Sequence, residues 1–156
     1  MRIYLTGFMG SGKTTVGRAL ARQLNLPFID LDQQIEMTIG KSILEIFQQF
    51  GEPEFRKFET KVLQSIQLEA GVIATGGGCF IHHADWMLEN GKVIYLRVPF
   101  EILTQRVGAD ASRPLWKNAK MLFAEREEFY RKAHFEVDAE EDPETVAARI
   151  VSLLAI

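Results

Sequence analysis

The sequence predicts an α/β fold in which a parallel sheet carries helices on both faces. Three observations predict it. Short apolar runs alternate along the chain with segments whose apolar residues recur at helical spacing. A run such as Val93-Ile94-Tyr95-Leu96 is apolar at every position, as a strand buried on both faces requires. Between the first strand and the first helix, Gly7-Phe8-Met9-Gly10-Ser11-Gly12-Lys13-Thr14 fits G-x-x-x-x-G-K-[ST] at every fixed position.

The elements follow in order. Ile3, Tyr4 and Leu5 form the first strand, and Val16, Leu20 and Leu24, with Ala19 beside them, mark one face of the first helix. Asn25 and Pro27 end that helix. Phe28-Ile29-Asp30-Leu31-Asp32 reads as a second strand running into a turn, and alternation puts Asp30 and Asp32 on one side. Gln33 to Ile39 is helical and stops at Gly40. Ser42 and Glu45 form a capping box that opens a helix ending at Gly51. Pro53 starts the next helix, with Phe55, Phe58, Val62 and Ile66 as its buried stripe. Val72 to Thr75 is the third strand, followed by Gly76-Gly77-Gly78 and a short helix from Ala84 to Glu89. After the fourth strand, Pro99 starts a helix through Ile102, Leu103 and Val107. Residues 108 to 118 lack periodicity and are long for a connector, which suggests a mobile lid. Ala119 to Arg131 is a charged helix with Leu122 and Phe129 inward, Phe135 to Val137 a fifth strand, and Pro143 opens the last helix with the stripe Val146, Ile150, Leu153 and Leu154.

The 156 residues suit one domain, and 47% hydrophobic with 25% charged residues is ordinary for a globular chain. A net charge of −3 argues against a nucleic-acid surface. The single cysteine, Cys79, excludes an internal disulfide. No apolar run approaches the ~18 residues of a membrane span, and no leader is expected ahead of the first strand. A cytoplasmic protein acting as a monomer is expected.

The glycine loop dictates the chemistry. Its backbone amides, with those of the helix N-terminus beyond, can converge on an anion. Gly10, Ser11, Gly12, Lys13, Thr14 and Thr15 are therefore candidate nucleotide-binding residues. Lys13 is placed to reach the β- and γ-phosphates, and the Thr14 hydroxyl suits Mg²⁺. The third strand ends in Thr75-Gly76 and offers no aspartate, so Asp30 is assigned to the metal shell through water. Asp32 is then a carboxylate able to take a proton from a substrate hydroxyl, or else the cap of the following helix. The triple glycine suits close approach of a ligand to the backbone, or a flexible turn. Arg113, in the lid, is suited to stabilise a transferring phosphoryl group. Arg56 lies at the edge of an apolar stripe, with an ion pair to Glu59 as the alternative. Arg126 lies among Glu125, Glu127 and Glu128, where a surface charge network is the alternative. His82, His83 and His134 lack metal-ligand spacing and read as surface or loop residues, Cys79 as a small buried filler, and Trp86 and Trp116 as packing groups.

Over essentially its whole length the chain resembles the shikimate kinase family. The resemblance rests on Gly7–Thr14, Phe28-Ile-Asp30-Leu-Asp32, Glu54-Phe55-Arg56 with Glu59, Gly76–Gly78 and Arg113-Pro114-Leu115. It implies a nucleoside-monophosphate-kinase-like P-loop fold of three layers with a five-stranded parallel sheet, the acceptor helices at about 32–60 and the lid at about 108–118. It implies transfer of the ATP γ-phosphoryl group to the 3-hydroxyl of shikimate, with Mg²⁺ as cofactor. By the same resemblance, Asp32, Lys13 and Arg113 are catalytic. Asp32, Arg56, Gly77, Gly78 and Arg126 bind shikimate, and Arg106 packs on adenine. Asp138 to Pro143 wraps the base. The sequence departs from the family pattern in a shorter stretch between Arg113 and Arg126 and in Trp116 where leucine is commoner, which leaves Arg131 as an alternative to Arg126.

Overall fold

The computed structural model describes residues 1–107 and 118–155. Among the described residues the elements run in the order β1 (Arg2–Thr6), α1 (Lys13–Leu24), β2 (Phe28–Asp30), α2 (Leu31–Ile39), α3 (Ile43–Ser65), β3 (Gly71–Ala74), α4 (Cys79–Asn90), β4 (Lys92–Arg97), α5 (Phe100–Val107), α6 (Ala119–Tyr130), β5 (Phe135–Asp138) and α7 (Pro143–Leu154). The five strands form one sheet in the order β2-β3-β1-β4-β5, and every neighbouring pair is parallel.

Burial explains that order. Ile3, Tyr4 and Leu5 of β1 and Val93, Ile94 and Leu96 of β4 are fully buried, as central strands with helices above and below must be. The edge strands β2 and β5 are only partly covered. On one face α1 packs against α7 and over β2 and β3; α4 packs against α6 and over β1 and β4. The connection leaving β1 runs toward β2, and the one leaving β3 runs the opposite way, toward β4. With right-handed crossovers the chain diverges to opposite faces between these adjacent strands, and a crevice opens at their carboxyl ends.

Several local expectations are corrected. The second strand stops at Asp30, and Leu31 and Ile35, both fully buried, are one helical turn apart on α2. The expected break at Gly51 is present, with φ 78° inside α3, and Pro53 follows it. Helix α4 starts at Cys79 rather than Ala84 and bends at His83. On α6 the buried positions are Ala119, Arg126 and Tyr130, whereas Phe129 is 41% exposed. Leu153 of α7 is also exposed.

Candidate active site

The loop after β1 enters α1 through Gly12, whose φ of 94° is costly for any residue with a Cβ. Within this loop Lys13 Nζ donates to the carbonyls of Gly7 at 2.7 Å and Phe8 at 3.1 Å. Thr14 Oγ1 donates to Asp30 Oδ2 at 3.1 Å, while Asp30 Oδ1 accepts from Gln33 N and caps α2. The cap of this helix is therefore Asp30, not Asp32. Thr14 and Asp30 present adjacent hard oxygens beside the anion loop, a donor set that fits Mg²⁺ sharing its remaining coordination with phosphate and water. Thr15 Oγ1 turns back to the Gly12 carbonyl, and Ser11 is buried. Arg106, from α5, donates to the carbonyls of Gly10, Ala139 and Glu140. It thus ties the anion loop to the segment after β5, two stretches expected to surround a nucleotide. A cavity of about 410 Å³ is lined by Lys13, Thr14, Asp30, Asp32, Gly76 and Arg106, among others.

A second cavity, of about 550 Å³, lies on the other side of Asp32. Its lining combines Arg56, Glu59, Arg126 and the triple glycine with the apolar Met9, Ile43, Phe47 and Phe55. The two cavities share Met9, Asp32, Gly76 and Gly77, so a group held in one meets a group held in the other at Asp32. Asp32 sits in the first turn of α2 and is half-buried. Burial, then the neighbouring carboxylates of Glu59 and Asp30, push its pKa up to about 6, against the pull of Lys13.

The three glycines have separate reasons. A Cβ on Gly76 would stand 3.1 Å from an Asp32 carboxylate oxygen, and one on Gly77 would stand 3.0 Å from Arg126 Nη1. On Gly78 it would lie 2.4 Å from Arg56 Nη2 and 3.2 Å from Arg126 Nη2. The backbone of Gly78, with φ −96° and ψ −7°, is open to any residue, so glycine is needed there for close approach alone. Gly78→Ala is therefore expected to keep the wild-type melting temperature while raising KM for a carboxylated acceptor by about tenfold or more, by moving both guanidinium groups. An unchanged KM in steady-state kinetics would refute that account of the glycine.

Arg56 is fixed from one side. Its Nη1 donates to both oxygens of the fully buried Glu59, at 2.9 and 3.1 Å. The opposite edge, Nε with Nη2, has only a 3.5 Å contact from Nη2 to Glu52, and Nε is buried with no partner among the described residues. An Nε/Nη2 edge is the geometry that takes a carboxylate in two parallel hydrogen bonds. The Glu59 pair anticipated as an alternative role for Arg56 is thus its mount. Arg126 is buried on α6 rather than part of a surface network. Tyr130, one turn on, donates to the Gly77 carbonyl. Arg131 pairs with Glu127 at 2.8 Å and is 58% exposed, so Arg126 is the α6 arginine that reaches the crevice. Arg113 and the lid, apart from Asn118, lie outside the described residues, as does Trp116.

Sequence reasoning missed two participants. Glu59 was quoted only as the partner of Arg56. His83 is not a surface residue: its Nε2 lies 3.0 Å from Glu59 Oε1. His134 is an exposed loop residue, as expected, and its Nδ1 accepts from the Val93 amide at the start of β4, away from the crevice. Among the described residues, Glu59, Cys79 and His83 are the one cluster with enough ligand types for a metal. Burial pushes the Cys79 thiol up, Arg56 already holds the carboxylate, and nothing else marks a cation there. The apolar wall of Ile43 and Phe47 carried no chemical signal in the sequence beyond its helical spacing.

The arrangement is a glycine-loop cavity carrying Lys13 and an arginine-lined cavity that meet at the Asp32 carboxylate. Residues 9–155 match the family model described as shikimate kinase. The shikimate kinase of Aquifex aeolicus (strain VF5) is 42% identical, over 97% of this chain and 94% of the relative. Among solved structures, shikimate kinase from Acinetobacter baumannii in complex with shikimate superposes with a TM-score of 0.92 at 36% identity, covering 99% of this chain and 92% of that one. A gluconokinase from Sinorhizobium meliloti 1021 shares the fold alone, with a TM-score of 0.62 at 17% identity over 99% of this chain and 95% of that one.

Proposed function

The chain belongs to the shikimate kinase family, and from that premise we propose that the crevice carries the family's reaction through the residues described above. The protein is an ATP-dependent kinase that transfers the γ-phosphoryl group to the 3-hydroxyl of shikimate, giving shikimate 3-phosphate and ADP. The observation that carries the site assignment is Arg56, anchored on Glu59 through Nη1, with an Nε that has no partner among the described residues, beside a cavity that also reaches Asp32.

Shikimate enters the larger cavity with its carboxylate on Arg56 and Arg126 and its ring over the backbone of Gly77 and Gly78. That pose turns its hydroxyl side toward Asp32. ATP lays its phosphates on the amides of residues 7–14, where Lys13 leaves the loop carbonyls for the β- and γ-phosphates. Asp32 accepts the proton of the 3-hydroxyl as that oxygen bonds to the γ-phosphorus and the bond to ADP breaks. Thr14, with Asp30 behind it through water, would hold Mg²⁺, which would supply neutralisation of phosphate charge during the transfer. Arg106 and residues 138–143 flank the adenine. Arg113 meets phosphate and acceptor, a role supported by the sequence resemblance. Residues 32–60 form the acceptor side and 108–118 the lid of a single domain. Action as a monomer is part of the same proposal. Among the described residues no helix is long and apolar enough to cross a membrane.

The test is ADP release against shikimate, gluconate, nucleoside monophosphates and no acceptor. Shikimate alone should support turnover; equal rates with gluconate would overturn the acceptor assignment. Arg56→Lys retains the charge and loses the planar fork, so shikimate affinity by titration calorimetry should weaken by about tenfold or more while ATP affinity stays constant. Unchanged shikimate affinity would remove Arg56 from the site.

A further inference from the structure

We propose that His83 is a positioning residue for shikimate binding, acting on Arg56 through Glu59. The proposal rests on Arg56 being the carboxylate clamp.

Glu59 is the mount of that clamp, and a mount works only if it is itself fixed. Its carboxylate is 0% exposed and offers about four lone-pair positions, of which Arg56 Nη1 occupies two. Among the described residues the other side chain bonded to it is His83, which reaches across from α4 to α3. The backbone of α4 departs from helical geometry at this same residue, with φ −131° and ψ 27°. The bend therefore falls where the side chain bridges the two helices. The neighbouring pair is a contrast. His82 lies 3.7 Å from Glu52, both side chains are largely exposed, and Glu52 stands 3.5 Å from Arg56 Nη2. Arg56 is thus flanked by two acids, and only the one held by His83 is locked.

Locking decides which edge of the guanidinium is presented. With Oε1 shared between His83 and Arg56, Glu59 holds Nη1 and leaves the Nε/Nη2 edge of this cavity-lining residue free of that carboxylate. Without the imidazole, the carboxylate keeps one anchor and can turn with Arg56, so the fork is presented only part of the time. The loss falls on the acceptor carboxylate, because the phosphate cradle lies beyond Asp32.

The measurement is steady-state kinetics of His83→Ala, His83→Gln and His83→Asn beside wild type. Gln can place an amide donor near the position of Nε2, whereas Asn is too short. Ala and Asn are expected to raise KM for shikimate by about tenfold, with KM for ATP and kcat changed far less, and Gln to recover most of the loss. In a Glu59→Gln background, His83→Ala should add little. A wild-type KM for shikimate in both Ala and Asn, a parallel rise in both KM values, or Gln as impaired as Asn would overturn the proposal. If Ala does not fold, the Gln and Asn pair decides. Arg56→Ala separates the two readings. A wild-type shikimate KM there defeats the clamp itself, whereas a raised one with unaffected His83 variants defeats only the relay.

Discussion

Asp32→Asn is expected to lower turnover by about 10²–10⁴ and, in the absence of substrates, to raise the melting temperature. The two effects have one origin. Asp32 is an acid placed beside Glu59 and Asp30 in a half-buried crevice, and its pKa stands at about 6 instead of the usual 3.8. The folded protein therefore holds this proton more tightly than the unfolded chain does. Stability associated with the group is complete below the unfolded pKa and falls as pH rises toward 6, so at neutral pH the ionised carboxylate is a net cost to the fold. Asparagine keeps the shape and removes the charge. At pH 7.5 the variant should melt a few degrees, roughly 2–6 °C, above wild type, and near pH 3.5 the two should converge. The same pKa gives kcat/KM for shikimate an acid limb near pH 6 that is absent from the variant's residual activity. A variant that melts lower than wild type at neutral pH would contradict the electrostatic account. Near-normal turnover would remove Asp32 as the proton acceptor.

What the sequence made legible was local. The anion loop is written in consecutive residues, with Lys13 and Thr14 at fixed offsets, and alternation of apolar runs with helical stripes was enough for a parallel sheet. Asp30 and Asp32 were chosen correctly as residues of the crevice but by way of a strand that ends too early. The i,i+4 pair Leu31 and Ile35, both fully buried, was a helical signal that overrode alternation. Arg126 shows the opposite limit. Its helix is rich in glutamate, and only packing against α4 decides that Arg126 faces inward while Phe129 stays exposed. No periodicity argument assigns a charged residue to a buried face over an aromatic one.

Glu59 and His83 were beyond a one-dimensional reading for a related reason. A glutamate three residues after an arginine on a helix looks like a surface pair worth a few tenths of a kcal/mol. Its character changes because α4 covers it. The start of α4 at Cys79 was also hidden, since its N-cap is Gly78, which offers no side-chain cap. The triple glycine, ambiguous as a string, becomes specific once three charged side chains are seen lying on it in turn.

Lys13→Met is the second substitution expected to act by orders of magnitude. Turnover should fall by about 10²–10³, because a cation aimed at charge developing on the transferring group is lost. Lys13 Nζ rests on the Gly7 and Phe8 carbonyls, so the ammonium is held at the mouth of the loop before any phosphate arrives. Incoming phosphate oxygens are charged acceptors and compete well with neutral carbonyls. Lys13→Arg should recover little, since a planar fork does not replace a compact ammonium in that seat. The structure adds a consequence that simple loss of nucleotide affinity would not produce. Lys13 is the cation that holds the Asp32 pKa down against burial and the Glu59 and Asp30 carboxylates. Removing it lets that pKa rise further, so the acid limb of kcat/KM for shikimate, measured at saturating ATP on the residual activity, should move above pH 6. If the limb stays where it is in wild type, Lys13 and Asp32 do not share the field that joins the two cavities, and the proton acceptor must be sought elsewhere on the crevice wall.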